Sequence, residues 1–169
     1  MLPPPAEVRK RWAAHNPGLD TSPMEVVALV KQINSLVGTA VEPLYDGASL
    51  TAPELDLLIP LRYASGPVIA RRLADQLQLS RAGISKTLAK LEGRGFIERA
   101  PNPADRRAAL VTVTPAGAEA VDALFPRQLA VERELLAGLG EDRAKVLEAL
   151  NLLIRVMEGH LTTASGSRP

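Results

Sequence analysis

Between Pro67 and Val113 the spacing of apolar residues changes its period, and few folds accommodate the order of elements that results. Pro67 is a first-turn proline. Behind it Ile69, Leu73, Ala74 and Leu77 share one face while Arg71, Arg72, Asp75 and Gln76 share the other, which predicts a helix ending near Gln78. Ser80 caps the next helix, which runs to Arg94, buries Ile84, Leu88 and Leu91, and turns Arg81, Ser85, Lys86 and Lys90 outward. After Gly93 and Gly95 come two short β-rich runs, Phe96–Arg99 and Leu110–Val113. Between them lies Ala100–Arg107, with two prolines, a turn-forming Asn and two adjacent arginines. Helix, short turn, helix, then a hairpin with a charged tip is the order of a winged helix-turn-helix, whose second helix enters the DNA major groove.

Further helices flank this unit. Ser22-Pro23-Met24-Glu25 and Thr51-Ala52-Pro53-Glu54 each combine a capping residue, a first-turn proline and a carboxylate able to reach back to the cap. The first opens a helix with a wide apolar stripe from Val26 through Ile33 and Leu36 to Leu44. The second opens a short helix carrying Leu55, Leu58, Ile59 and Leu61. Thr114-Pro115 begins a fifth helix with Val121, Leu124, Phe125, Leu129, Leu135 and Leu136, which Pro126 should kink or divide. A last helix is expected from about Glu141 to His160, with Val146, Leu147, Leu150, Leu153, Ile154 and Met157 on one side. The expected division is an N-terminal extension with an added helix (1–21), a helix over 22–49, the winged unit over 50–114, C-terminal helices over 115–160 and a disordered tail over 161–169. The fold class is therefore mainly α with a small β-hairpin wing.

The formal net charge of +1 conceals an uneven distribution. From Arg62 to Arg107 ten basic side chains face four acidic ones, a surplus of six, so the remainder of the chain is net acidic. A basic centre in an acidic frame suits a chain whose middle meets a polyanion. On the second helix of the pair, Ser80, Ser85 and Thr87 suit contacts to phosphates or bases, and Arg81, Lys86 and Lys90 offer charge-assisted bonds. Taken alone, Asp105-Arg106-Arg107 also reads as a solvated turn.

Other functional classes find little support. The chain has no cysteine, which excludes disulfides, thiolate metal sites and thiol chemistry. The two histidines, His15 and His160, lie near opposite ends without metal-ligand spacing or a nucleophile motif, so neither enzymatic activity nor a cofactor is expected. The first residues, MLPPPAEVRKRW, lack a following apolar run, and no window reaches about 18 uninterrupted apolar residues. The expectation is a cytoplasmic protein without a membrane partner. The rival class is a winged-helix protein-interaction module without specific DNA binding.

Leu50-Thr51, the run Leu88-Ala89-Lys90-Leu91-Glu92-Gly93-Arg94-Gly95-Phe96-Ile97-Glu98-Arg99, Asp105-Arg106-Arg107 and Val113-Thr114-Pro115-Ala116-Gly117 resemble the signatures of the MarR family, in order and spacing, over roughly residues 24 to 160. The resemblance implies a homodimer joined through N- and C-terminal helices and bound to double-stranded DNA at a near-palindromic operator. It implies transcriptional regulation, with repression favoured, and release by a small-molecule effector. It also implies that Arg107 reaches into the minor groove while Asp105 holds its guanidinium, with Arg106 beside them. The added N-terminal segment, with Arg9-Lys10-Arg11-Trp12, is similar to that of the urate-responsive, PecS-like subgroup. By that resemblance Trp12, Asp56, Lys86 and Arg99 match the places of a ligand site for an anionic or phenolic compound. Lys86 departs from the subgroup's arginine, giving a point charge in place of a planar fork.

Overall fold

The computed structural model describes residues 3–77 and 80–166; the side chains of Pro5, Arg81, Arg106, Arg107 and residues 163–166 lie outside the description. Two compact units are present, residues 1–132 and 133–169.

In the first unit α1 (Pro5–His15) and α2 (Pro23–Val41) are joined by an ion pair, Arg9 Nη2 to Glu25 Oε1 at 2.7 Å. That pairing corrects the expected capping box at Ser22. Glu25 is drawn to α1, Ser22 is itself helical in backbone angles, and its N–H donates to Asp20 Oδ1 at 2.9 Å. The box at Thr51 does form: Glu54 reaches back so that Thr51 N–H donates to Oε2 at 2.9 Å, opening α3 (Ala52–Arg62).

The helix expected from Pro67 begins three residues later. Val68–Ile69 forms a strand, β1, and only then does α4 (Ala70–Gln76) start. The two β-branched residues pair antiparallel with the wing, Val68 with Val111 and Ile69 with Leu110. The sheet thus has three strands, in the spatial order Val68–Ile69, Asp105–Val113, Ile97–Asn102, rather than the two of a bare hairpin. Ser80 caps α5 (Arg81–Gly93), its Oγ accepting from Gly83 N–H at 3.0 Å. The wing strands β2 (Ile97–Asn102) and β3 (Asp105–Val113) are longer than expected and the tip correspondingly shorter. Asn102 faces Asp105 beyond a register shift, and Ala104 N–H donates to Asn102 Oδ1 at 3.0 Å, closing the turn with a side chain. Arg106 and Arg107 accordingly belong to β3 and not to a loop.

The core joins these parts. Leu55, Leu57, Leu58 and Leu61 of α3, Leu73 and Ala74 of α4, Ile84, Leu88 and Leu91 of α5, Ile97 and Val111 of the sheet, and Val121 and Leu124 of the helix that follows it form one buried cluster with Leu50. It is entirely aliphatic. α6 (Pro115–Leu135) opens at Thr114, whose Oγ1 accepts from Gly117 N–H at 3.1 Å and donates to Gly95 O at 2.7 Å. One continuous helix crosses Pro126, so of the two expected outcomes, kink or division, the division does not occur.

In the second unit a 3-10 turn, Ala137–Asp142, leads into α7 (Arg143–Gly166). This helix passes His160 and includes the described part of the expected tail; residues 167–169 lie outside the described residues.

Large apolar side chains are exposed on several helices and are most numerous on α2, with Val26, Leu29, Ile33 and Leu36, and on α7, with Leu147, Leu150, Ile154, Met157 and Leu161. Among the described residues one stretch, Pro23–Tyr45, is long and apolar enough to cross a membrane by length and composition.

Candidate nucleic-acid interface

The side of α5 turned from the core carries the predicted DNA contacts. Ile84, Leu88 and Leu91 point inward, while Ser85, Lys86 and Lys90 are exposed and Thr87 is half-buried, its hydroxyl donating to Gly83 O at 3.1 Å. The Thr87 proton is thereby used within its own helix, and its oxygen keeps the capacity to accept. Ser80 is exposed and engaged as the cap. Arg81 sits in the first turn of α5 with its side chain outside the described residues. Asp105 is exposed at the start of β3, next to Arg106 and Arg107, whose side chains are likewise outside the described residues.

The last turn of α5 is tied on two sides. Arg99 of β2 donates through Nε to Glu92 Oε2 at 2.7 Å, with Nη2 closing on the same oxygen. The bond from Arg99 holds the Glu92 carboxyl below the usual carboxylate range. Arg94, the C-cap residue, pairs through Nη2 with Glu54 Oε1 at 2.7 Å, donates through Nη1 to Ser49 O at 3.0 Å, and places its guanidinium 5.2 Å from the Phe96 ring centre. Burial alone would raise the Glu54 pKa, but the bonds from Arg94 and Thr51 outweigh it, and the carboxyl ends up lowered.

Between α4, α5 and the wing lies a cavity of 560 Å³. Its apolar wall includes Ala74, Ile84 and Leu88, and its polar groups come from Arg71, Ser85, Arg99 and Asp105. The four residues assigned to a ligand are not gathered around it. Arg99 lines it, and Lys86 is exposed on the adjacent helix. Trp12 lines a separate groove with Val8, His15 and Met24, and is 52% exposed. Asp56 sits on α3, where crowding by protein atoms and the charge of Glu132 raise its pKa although the residue keeps solvent contact. Glu132 accepts from Gln128 Nε2 at 2.7 Å, and the Tyr45 hydroxyl donates to Gln128 Oε1. No hydrogen bond or ion pair among the described residues joins any two of Trp12, Asp56, Lys86 and Arg99.

Sequence reasoning missed Arg71, Glu92, Arg94 and Glu54 as parts of this surface. Arg71 read as one more outward cation, and the partners of the other three become visible only when α3, α5 and β2 are packed together.

Residues 50–109 match the model of the MarR family. The multiple antibiotic resistance protein MarR of Salmonella typhimurium is 32% identical over 102 residues, covering 60% of this chain and 70% of that protein. The chain belongs to the MarR family. The transcriptional regulator PecS of Dickeya dadantii is 24% identical over 147 residues, 86% of this chain and 89% of PecS. Among solved structures, an E. coli MarR mutant complexed with operator DNA superposes with a TM-score of 0.68 at 23% identity, covering 77% of this chain and 93% of that one. CouR from Rhodococcus jostii RHA1, bound to p-coumaroyl-CoA, gives 0.65 at 19% identity, covering 76% and 90%. These structures share the winged-helix fold. As a MarR-family member the chain is a DNA-binding transcriptional regulator, in a family of regulators rather than enzymes.

Proposed function

We propose that the chain is a cytoplasmic, homodimeric repressor that leaves a near-palindromic operator when a small anionic or phenolic ligand binds. The observation that carries DNA recognition is the face of α5: Ser85, Lys86 and Lys90 project from a helix whose opposite side is locked into the core by Ile84, Leu88 and Leu91. Ser80, Arg81 and Thr87 complete the recognition surface, with Arg107 entering the minor groove and Asp105 and Arg106 setting the wing end. The dimer reading rests on the uncovered apolar residues of α2 and α7, which a soluble chain must cover. Covering them with a second copy also makes Pro23–Tyr45 an interface helix instead of a membrane span. Two-fold symmetry then sets the recognition helices about 34 Å apart.

The cavity beside α5 supports the effector reading. It is lined by the cations Arg71 and Arg99 as well as by the apolar side chains of Ala74, Ile84 and Leu88, the combination an aromatic or phenolic anion requires. A carboxylate there competes with Glu92 for Arg99, loosening the tie between wing and recognition helix, and such differential binding shifts the equilibrium away from the DNA-competent form. Roles for Trp12, Asp56 and Lys86 in the same site are proposed from the family resemblance.

The experiment is selection of binding sites from fragments of the source genome, followed by fluorescence anisotropy at two salt concentrations for wild type and Arg107→Ala. Tight, salt-sensitive, palindrome-specific binding that Arg107→Ala weakens supports the proposal. Recovery of no enriched site would favour the interaction module.

A further inference from the structure

We infer that Glu54 and Arg94 form a positioning pair for DNA binding, through which α3 fixes the angle of the recognition helix without touching the nucleic acid. The inference rests on the DNA-binding reading and adds two residues to it.

Glu54 is the unusual member. Its side chain is 8% exposed against 41% for Arg94, so a carboxylate has been taken out of water at the start of a helix where an exposed one would satisfy the cap. Both its oxygens are used, Oε2 by Thr51 N–H and Oε1 by Arg94. Arg94 in turn uses three separate faces of one planar group. Nη2 meets α3, Nη1 meets the carbonyl of Ser49 in the segment before α3, and the flat face lies over Phe96 at the entry to β2. A guanidinium can meet all three demands and an ammonium cannot. Because Arg94 is the C-cap of α5, whatever moves it tilts the whole helix.

The lever arm gives the effect its size. Lys86 precedes Arg94 by eight residues, about 12 Å along the helix axis, so a tilt of about 5° at the clamp displaces Lys86 by about 1 Å. Binding groups need placing to about 0.5 Å. Slackening the clamp therefore spoils contacts made a full two turns away.

The test uses the full-length protein and the site recovered by selection with wild type. Arg94→Lys keeps the charge and loses the fork; Glu54→Gln keeps an acceptor for Thr51 N–H and loses the ion pair. Each is expected to weaken operator binding about tenfold, the scale of one coupled contact, and the double variant to be no weaker than either single one. The dependence of affinity on salt should keep its wild-type slope, since no phosphate contact is removed. A slope reduced by about 0.9 in Arg94→Gln, which removes the charge as well as the fork, would make Arg94 a phosphate ligand and overturn the inference. So would additive losses, or wild-type affinity in both variants. If one variant fails to fold, the other decides by the same criteria. Absence of any wild-type operator site would instead strike the DNA-binding reading itself.

Discussion

Gly117 offers a substitution whose sign depends on one backbone approach. It lies in the first turn of α6, where an alanine would ordinarily gain up to about 1 kcal/mol of helix propensity. In this fold a Cβ at Gly117 would stand 2.9 Å from the Phe96 carbonyl carbon and 3.1 Å from Val113 Cγ1, and closer still to the Phe96 oxygen. Carbonyl atoms cannot rotate aside, so α6 or the start of β2 must shift by about 1 Å, and overpacking of that kind costs about 1–3 kcal/mol. The shift also stretches the bonds that join the two segments, Thr114 N–H to Phe96 O at 3.1 Å and Thr114 Oγ1 to Gly95 O at 2.7 Å. Each contributes about 1 kcal/mol. Against the propensity gain, Gly117→Ala should be destabilising by about 2–4 kcal/mol, a fall in melting temperature of roughly 6–12 °C for a chain of this size. The assay is thermal unfolding followed by circular dichroism at fixed protein concentration, with Gly93→Ala as the contrast. Gly93 is helical with nothing near its would-be Cβ, and that variant should melt at or above wild type. A Gly117→Ala protein as stable as wild type would refute the reasoning, because it would mean that the sheet and α6 are free to separate.

Three further outcomes are expected. Leu88→Ala, at a side chain 1% exposed in the centre of the cluster, should cost about 2–5 kcal/mol in chemical denaturation. Ile33→Glu together with Leu150→Glu, both on uncovered apolar faces, should shift the sedimenting species to a single chain while a charge placed on the already polar side of either helix does not. Asp56→Asn should be stabilising at neutral pH and indifferent near pH 3. Crowding and Glu132 raise the Asp56 pKa above 3.8 in the folded chain, so native Asp56 loses stability as the pH rises from its unfolded value through the raised one, a loss the amide escapes. Melting temperatures of the two proteins across that range check it.

The parts of the fold that were legible in the sequence are those settled within a few residues. Thr51 and Glu54 form their box because Thr51 is extended and one Glu54 oxygen stays on its N–H while Arg94 takes the other, whereas Ser22 is itself helical and donates to Asp20, and Glu25 pairs with Arg9. Val68 and Ile69 fit the apolar face of a helix as well as they fit a strand; only Leu110 and Val111, some forty residues on, decide between the two. The sequence predicts too long a wing tip because the turn preference of Asn102 does not reveal the bond from Ala104 N–H by which its side chain shortens the turn. In the candidate interface, the outward face of α5 was legible because helical periodicity separates it from Ile84, Leu88 and Leu91. The partners of Glu92, Arg94 and Arg99 were not, since each lies on another element and opposite charges at such separations are common in any sequence.

The short strand Val68–Ile69 has a mechanical consequence. It is hydrogen-bonded to β3 and runs into α4 with no residue between them, so the wing is tied by backbone hydrogen bonds to the strand that continues directly into the first helix of the DNA-reading pair. A wing that swings on its own would have to break that pairing; a wing that keeps it must drag the first turn of α4 along. Force applied at the hairpin, by a groove that is too wide or a ligand pressing from the cavity, is therefore delivered to both arms of the reading head together, and the hairpin works as a handle and not as a flap.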